Sequence, residues 1–164
     1  MSQQGKRAPW LPPRWFIRAA WMVHRGIYSC SGGRLGLARP RPGNYGLMRL
    51  STVGRRSGKE RSTILAYYED GPNLVTLAMN GWGEGEPGWW LNLMAHPDAR
   101  VDLKGGSCAV RSRVAEGEER ERLWARWRDF SKSADELDRY AALRSSRTAV
   151  VVLEPRAEVP SGDT

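Results

Sequence analysis

Residues 47–61 read LMRLSTVGRRSGKER, from Leu47 to Arg61, and begin as an apolar run suited to a β-strand. Gly54 breaks that run. Arg55, Arg56, Lys59 and Arg61 then gather positive charge around a second glycine, Gly58. Glycine tolerates positive φ, so Gly54 and Gly58 can fold the backbone into a concavity whose N–H groups converge. Ser57 and Thr52 add hydroxyl donors. Donors ringed by arginine make a seat for a phosphate or carboxylate. The plainer alternative is a solvated basic hairpin turn. A Walker A loop is excluded, because three residues separate the glycines and Glu60 follows Lys59.

Outward from this loop, the totals narrow the class. A chain of 164 residues suffices for one domain with a real core. Lys and Arg outnumber Asp and Glu by 26 to 18, which favours an anionic partner: nucleic acid, acidic lipid or an anionic cofactor. Cys30 and Cys108 fit no redox or zinc spacing and read as idle thiols in a reducing cytosol. His24 and His96 are too isolated to build a metal site, so no metal is expected. There is no run of about 18 apolar residues. Pro12, Pro13, Arg14 and Arg18 interrupt any secretory apolar segment, and the expected location is cytoplasmic.

Residues 1–12 read as a flexible tail, and residues 13–44 as an amphipathic helix followed by a Gly/Pro-rich loop. Within 13–28, Trp15, Ala19, Met22, Val23 and Ile27 recur at helical spacing, with Arg14, Arg18 and Arg25 on other faces. Such a helix packs on its own domain or lies on an anionic membrane, so peripheral membrane association stays open. Residues 45–53 and 62–68 are strands on either side of the basic loop. Asp70, Gly71, Pro72 and Asn73 form a turn before a third strand over 74–79. A short helix over 89–95 stops at His96-Pro97. Strands over 101–104 and 107–114 flank a Gly105-Gly106 turn, and Cys108, Val110, Ser112 and Val114 share one half-buried face. Residues 116–130 are helical, with Leu123, Trp124, Trp127 and Phe130 as the apolar stripe and Glu118 paired with Arg122. A helical piece over 134–143 and a β-branched strand over 148–153 precede a polar tail over 155–164. Hairpin connections dominate. The fold expected is therefore α+β: a small closed or split β-barrel of about six mainly antiparallel strands over 45–154, with peripheral helices.

A second motif, NGWGEGEPGWWLN, covers residues 80–92. Gly83, Gly85 and Gly88 satisfy the dinucleotide pattern G-x-G-x-x-G, but Glu84 and Glu86 would set carboxylates against a pyrophosphate. The helix that follows is too short, and no βαβ unit surrounds it. Pro87 suits a first helical turn, so the N–H groups of Gly88 to Trp90 can face an anion or a carbonyl. Trp89 or Trp90 either walls an aromatic ligand or caps the barrel core. Asn92 offers both a donor and an acceptor.

Together the two motifs resemble the deazaflavin-dependent nitroreductase family, split β-barrels of the flavin and deazaflavin oxidoreductase superfamily that use coenzyme F420. The family pattern T-x-G-R-[KR]-[ST]-G-x-x-R is matched by Thr52, Gly54, Arg55, Arg56, Ser57, Gly58 and Arg61. Its later P-x-W-x-x-N-L-x-A-x-P is matched by Pro87, Trp89, Asn92, Leu93, Ala95 and Pro97, and a late R-T by Arg147-Thr148. The resemblance implies that Arg55, Arg56, Ser57 and Arg61 hold the coenzyme's anionic tail. It also implies that Ala78, Met79, Asn80, Trp89 and Asn92 lie along the deazaflavin ring. The chain departs at Asn80, where the nitroreductase has a basic residue, and at Trp82, where it has a small one. Tyr140 stands one residue from a tyrosine on that family's substrate side.

The function implied is an F420-dependent oxidoreductase that passes a hydride from the reduced deazaflavin to an electrophilic acceptor: an enone, quinone or nitro compound. In such chemistry the cofactor carries the reactivity, and no residue is assigned as acid, base or nucleophile. Flavin mononucleotide (FMN) is the alternative cofactor. A second reading is a non-catalytic split barrel that binds a flavin-like ligand, with Trp82 filling part of the redox pocket. A third, a basic nucleic-acid binder, is disfavoured because the aromatics sit mostly on helix stripes with core spacing. The expected partner is a small-molecule electron acceptor, with no nucleic acid. The sequence specifies neither that acceptor nor the oligomeric state.

Overall fold

The basic loop joins β1 (Gly46–Val53) and β2 (Glu60–Asp70) in the computed structural model, which describes Ala19 and residues 36–157 apart from 132 and 134. The helix expected over 13–28 lies outside the described residues except for Ala19. After β2 come β3 (Asn73–Leu77), helix α1 (Gly88–Ala95), β4 (Asp98–Leu103) and β5 (Gly106–Val114). Helices α2 (Gly117–Arg128) and α3 (Glu136–Ala141) then lead to β6 (Val150–Pro155). The six strands close into an antiparallel barrel in the order β1-β2-β3-β6-β5-β4. The expected fold is the one observed.

The turns follow from their residues. Asp70 pairs with Asn73, leaving Gly71 and Pro72 as a two-residue connection with Gly71 at φ +61°. Leu103 pairs with Gly106, so the β4–β5 turn is Lys104-Gly105 rather than Gly105-Gly106. Gly105 takes the positive φ, +113°, and Gly106 already belongs to β5.

Side chains alternate across the barrel wall as a pleated strand requires. Met48, Leu50, Tyr67, Leu74, Val101, Val110, Val151 and Leu153 point inward and are buried. Each large aliphatic group so buried stabilises the fold by roughly 1.5–3 kcal/mol. Trp90 and Leu93 of α1 join this interior cluster, so α1 plugs one mouth of the barrel. The outward residues Tyr68, Val75, Leu77, Val150 and Val152 are also buried, under Leu123, Trp124 and Trp127 of α2 and Leu137 of α3. Tyr68 donates its hydroxyl to the Leu123 carbonyl at 2.9 Å, and burial raises its pKa. The expected pairing of Glu118 with Arg122 does not form. Arg122 instead makes a bidentate bond to Asp70, at 2.8 and 2.9 Å, because α2 crosses the β2–β3 turn. On β5, Cys108 and Ser112 lie at least partly under cover with Val110, but Val114 at the strand end is 40% exposed.

The barrel is not uniformly stitched. β1 and β2 pair along their whole shared length, from Gly46 with Tyr67 to Val53 with Glu60. β2 and β3 pair only where Tyr68, Glu69 and Asp70 face Val75, Leu74 and Asn73. Beyond that point the strands part, and the Thr76 hydroxyl donates to the Ala66 carbonyl at 2.8 Å. On its other margin β1 meets β4 only through Arg49, Leu50 and Ser51.

Candidate active site

The basic loop is a tight connection with its own internal bonds. The Gly54 N–H donates to the Lys59 carbonyl and the Gly58 N–H to the Gly54 carbonyl, both at 2.8 Å. Gly58 has φ +65°, whereas Gly54 does not enter the left-handed region. A side chain on Gly54 would instead start 2.9 Å from Ser57 Oγ and 3.0 Å from the Lys59 carbonyl. The expected convergence of glycine N–H groups on a ligand is thus corrected: hairpin closure engages both. The free backbone donors are those of Arg56 and Ser57, which bond to no described residue. Around them, Arg55, Arg56, Lys59 and Arg61 are exposed and none pairs with a described carboxylate. Arg49, Arg111, Arg113, Arg122 and Arg147 all do. Four unneutralised cations against one carboxylate, Glu60, leave a local field suited to a phosphate.

Asn92 hangs this loop from α1. It is buried, its Oδ1 accepts the Arg55 N–H at 3.1 Å, and its Nδ2 donates to Thr52 Oγ1 at 3.1 Å. Thr52 in turn donates to the Arg61 carbonyl at 3.3 Å. With both ends of the amide engaged inside the protein, Asn92 acts as a strut between helix and loop.

A groove of about 400 Å³ opens where β2 and β3 part. Its walls are Ile64, Leu65 and Ala66 of β2, Thr76 and Leu77 of β3, Tyr45 and Leu47 at the start of β1, and Trp127 of α2. Met79 and Gly81 close it at the end of β3. Among the described residues, no carboxylate or histidine lines it. Ile64 lies three residues along β2 from Arg61, or about 10 Å at strand rise.

The segment 80–86 borders that groove. The Gly83 N–H donates to the Asn80 carbonyl at 3.0 Å, with Gly81 at φ +56° and Trp82 at φ +59°. Two successive positive φ values define a type I′ turn, which glycine and asparagine favour and tryptophan resists. Trp82 is held there by stacking on Tyr140 of α3, with centroids 6.0 Å apart and planes at 19°. Asn80 is exposed and donates to the Glu84 carbonyl at 3.3 Å. Glu84 accepts from the Ser145 N–H and hydroxyl, at 2.8 and 2.7 Å, and these bonds hold its carboxyl below the usual range. Glu86 pairs with Arg144 at 3.1 Å.

Of the residues expected at a cofactor, Arg55, Arg56, Ser57 and Arg61 share the basic loop, with Asn92 beneath it. Met79 lines the groove. Trp89 is half-buried against the barrel core and packs edge-on to Trp90 at 6.2 Å. Ala78 is fully buried in the interior, and its carbonyl accepts from Arg144 at 2.9 Å. Sequence reasoning missed the groove walls and Arg144. Ile64 and Ala66, apolar on the outward face of β2, were the available signal.

A family model described as F420H(2)-dependent quinone reductase matches residues 21–155. The chain belongs to that family. It is 29% identical over 136 residues to an F420H(2)-dependent quinone reductase of Mycobacterium tuberculosis, covering 82% of this chain and 89% of that one. A second relative of the same organism, a putative F420H(2)-dependent quinone reductase, is 32% identical over 109 residues, covering 62% and 83%. Among solved structures, an F420-H2 dependent reductase (FDR-A) aligns at TM-score 0.59 and 25% identity, over 73% of this chain and all of that one. Membership makes this F420H(2)-dependent quinone reductase family protein an oxidoreductase with coenzyme F420 as its cofactor, and the non-catalytic reading gives way. The residues present fit that cofactor. Cations and two N–H groups without a partner among the described residues suit an anionic tail, and an apolar slot begins a few residues away.

Proposed function

We propose that this protein uses reduced F420 to reduce a quinone, with the acceptor seated against the coenzyme ring in the groove where β2 and β3 part. The observation that carries this reading is the groove itself: an apolar slot beside an anion loop, its walls made of Ile64, Ala66, Leu77, Met79 and Trp127. Arg55, Arg56, Arg61 and the Arg56 and Ser57 N–H groups hold the coenzyme's anionic tail. Bound in this way, the coenzyme supplies a hydride, and the quinone gains that hydride and one proton to become a hydroquinone. The protein's part is to orient the two rings and exclude water between them.

Enones and nitro compounds accept hydride by the same polarity, so an acceptor panel decides among them. Purified protein is mixed with reduced F420, and the return of the oxidised deazaflavin absorbance is followed with quinones, enones and nitroarenes matched in size. Quinones should give the highest kcat/KM by at least tenfold. A preference for either other class would refute the quinone assignment while leaving the reductase intact. The same titration with FMN should show weaker binding than with F420.

A further inference from the structure

Arg144, just beyond α3, has a side chain with no solvent exposure and is the hub of an unusual set of bonds. Its Nη1 donates to the Ala78 carbonyl at 2.9 Å and to Thr148 Oγ1 at 2.8 Å. Its Nη2 donates to the Gly85 carbonyl and to Glu86 Oε1, both at 3.1 Å. Those partners stand at the two ends of the segment that borders the groove, so one guanidinium pins both its root and its return. Ser145 adds the bonds to Glu84, and Tyr140 adds the stack under Trp82. Residues 140–146 thus grip residues 78–86 from behind, while none of them lines the groove.

A buried ion pair is a poor source of net stability, because desolvation offsets its attraction, but it fixes one geometry sharply. The pair here is incompletely satisfied: Arg144 Nε and Glu86 Oε2 are buried without a partner. An apolar filling would cover the same space with no such penalty. What it could not do is hold at fixed positions two carbonyls 59 and 66 residues away in sequence and a carboxylate 58 residues away.

We infer that Arg144 is a positioning residue for hydride transfer, setting through Ala78, Gly85 and Glu86 the wall against which the deazaflavin ring lies. This rests on the reading that the ring occupies the groove beside segment 78–86. The anion loop is built separately, from Asn92, Thr52 and the loop's own bonds, so tail binding does not depend on Arg144. The two sites therefore separate in kinetics: the loop governs coenzyme affinity, and Arg144 governs the rate once the coenzyme is bound.

The test measures F420 dissociation by fluorescence, kcat with one quinone, and thermal stability for wild type and Arg144→Lys, Arg144→Ala, Glu86→Gln and Ser145→Ala. Arg144→Lys should lower kcat at least tenfold while the F420 Kd changes less than threefold, because an ammonium cannot span both carbonyls and the carboxylate. Added guanidinium should restore part of the rate to Arg144→Ala, and added ammonium should not. Glu86→Gln and Ser145→Ala keep Arg144 in place and should each lower kcat more than threefold with Kd unchanged. They carry the test if the arginine variants do not fold. Folded variants with wild-type kcat, or kcat falling only in proportion as Kd rises, would overturn the inference. A wild-type protein that fails to bind F420 would instead overturn the reading beneath it.

Discussion

Asn92→Ala removes the strut between α1 and the basic loop, and its cost can be worked from two hydrogen bonds. The Asn92 amide accepts from the Arg55 N–H and donates to Thr52 Oγ1, both at 3.1 Å. A neutral hydrogen bond contributes about 1 kcal/mol net, and more is lost when a buried partner is left unpaired. Arg55 is exposed, so its freed N–H turns to water at little cost. Thr52 is buried but keeps its bond to the Arg61 carbonyl. The sum is about 2 kcal/mol, which in a protein of this size lowers Tm by roughly 4–8 °C. A loop no longer tied to α1 must be ordered by its ligand, so F420 affinity should fall about tenfold, or about 1.4 kcal/mol. Asn92→Asp retains an acceptor for the Arg55 N–H and should recover part of the stability. Calorimetry and fluorescence titration on the same preparations give both numbers. A Tm within about 1 °C of wild type, together with unchanged F420 affinity, would refute the strut.

Arg56→Ala combined with Arg61→Ala should weaken F420 by about a hundredfold, or about 3 kcal/mol for two charge-assisted contacts, with Tm unchanged; equal binding would make the loop a mere solvated turn. Trp82→Gly relieves a left-handed residue costing about 1–2 kcal/mol but loses a stack worth about 0.5–1.5 and the burial of an indole packed on the core, so the variant should be modestly less stable. If the indole limits acceptor size, turnover of a bulky quinone relative to a small one should rise; an unchanged ratio in the folded variant leaves Trp82 structural. Arg122 hydrogen bonding lowers the Asp70 pKa, so this group contributes stability above its unfolded pKa of about 4 and loses it as pH falls through the lower folded value. The pair is partly exposed, so Asp70→Asn should cost no more than about 1 kcal/mol at pH 7, and less at pH 3, by denaturant titration. Gly46→Ala would place a methyl 2.6 Å from both the Ala38 carbonyl and the Tyr67 ring, and should destabilise by about 1–3 kcal/mol; a neutral result would show that the 38–47 bridge gives way.

What the chain discloses before folding is what short stretches decide. Alternation in β1 and β5, glycine at the β2–β3 and β4–β5 turns and the stripe on α2 all rest on local geometry, and the barrel follows from them. The basic loop was legible as a loop, and its four cations as charge. That its glycine N–H groups close the hairpin, leaving Arg56 and Ser57 as the donors, depends on register with Lys59. The groove was not legible, because it exists where β2 and β3 cease to pair and a Thr76 hydroxyl takes over the Ala66 carbonyl. Arg144 reads in sequence as one more surface cation, since its burial is decided by carbonyls at 78 and 85. Arg122 shows the same limit in reverse: a favourable helical neighbour, Glu118, loses to an aspartate brought near only by the folded sheet.

The uneven stitching of the barrel has a consequence for how the protein breathes. The β1–β2 ribbon is long and fully paired within itself, yet only three residues of β1 hold it to β4 and three of β2 hold it to β3. Sub-global opening follows the seams with the fewest bonds, so this ribbon should swing out as one piece ahead of the β4–β5–β6 wall. Native-state amide exchange would register that as a shared opening free energy for the β1–β4 and β2–β3 seam amides, lower than that of the β5–β6 ladder. The swing carries away the anion loop and one side of the groove together. A coenzyme bound across both must therefore slow exchange at Leu50 and Val101, residues it never touches.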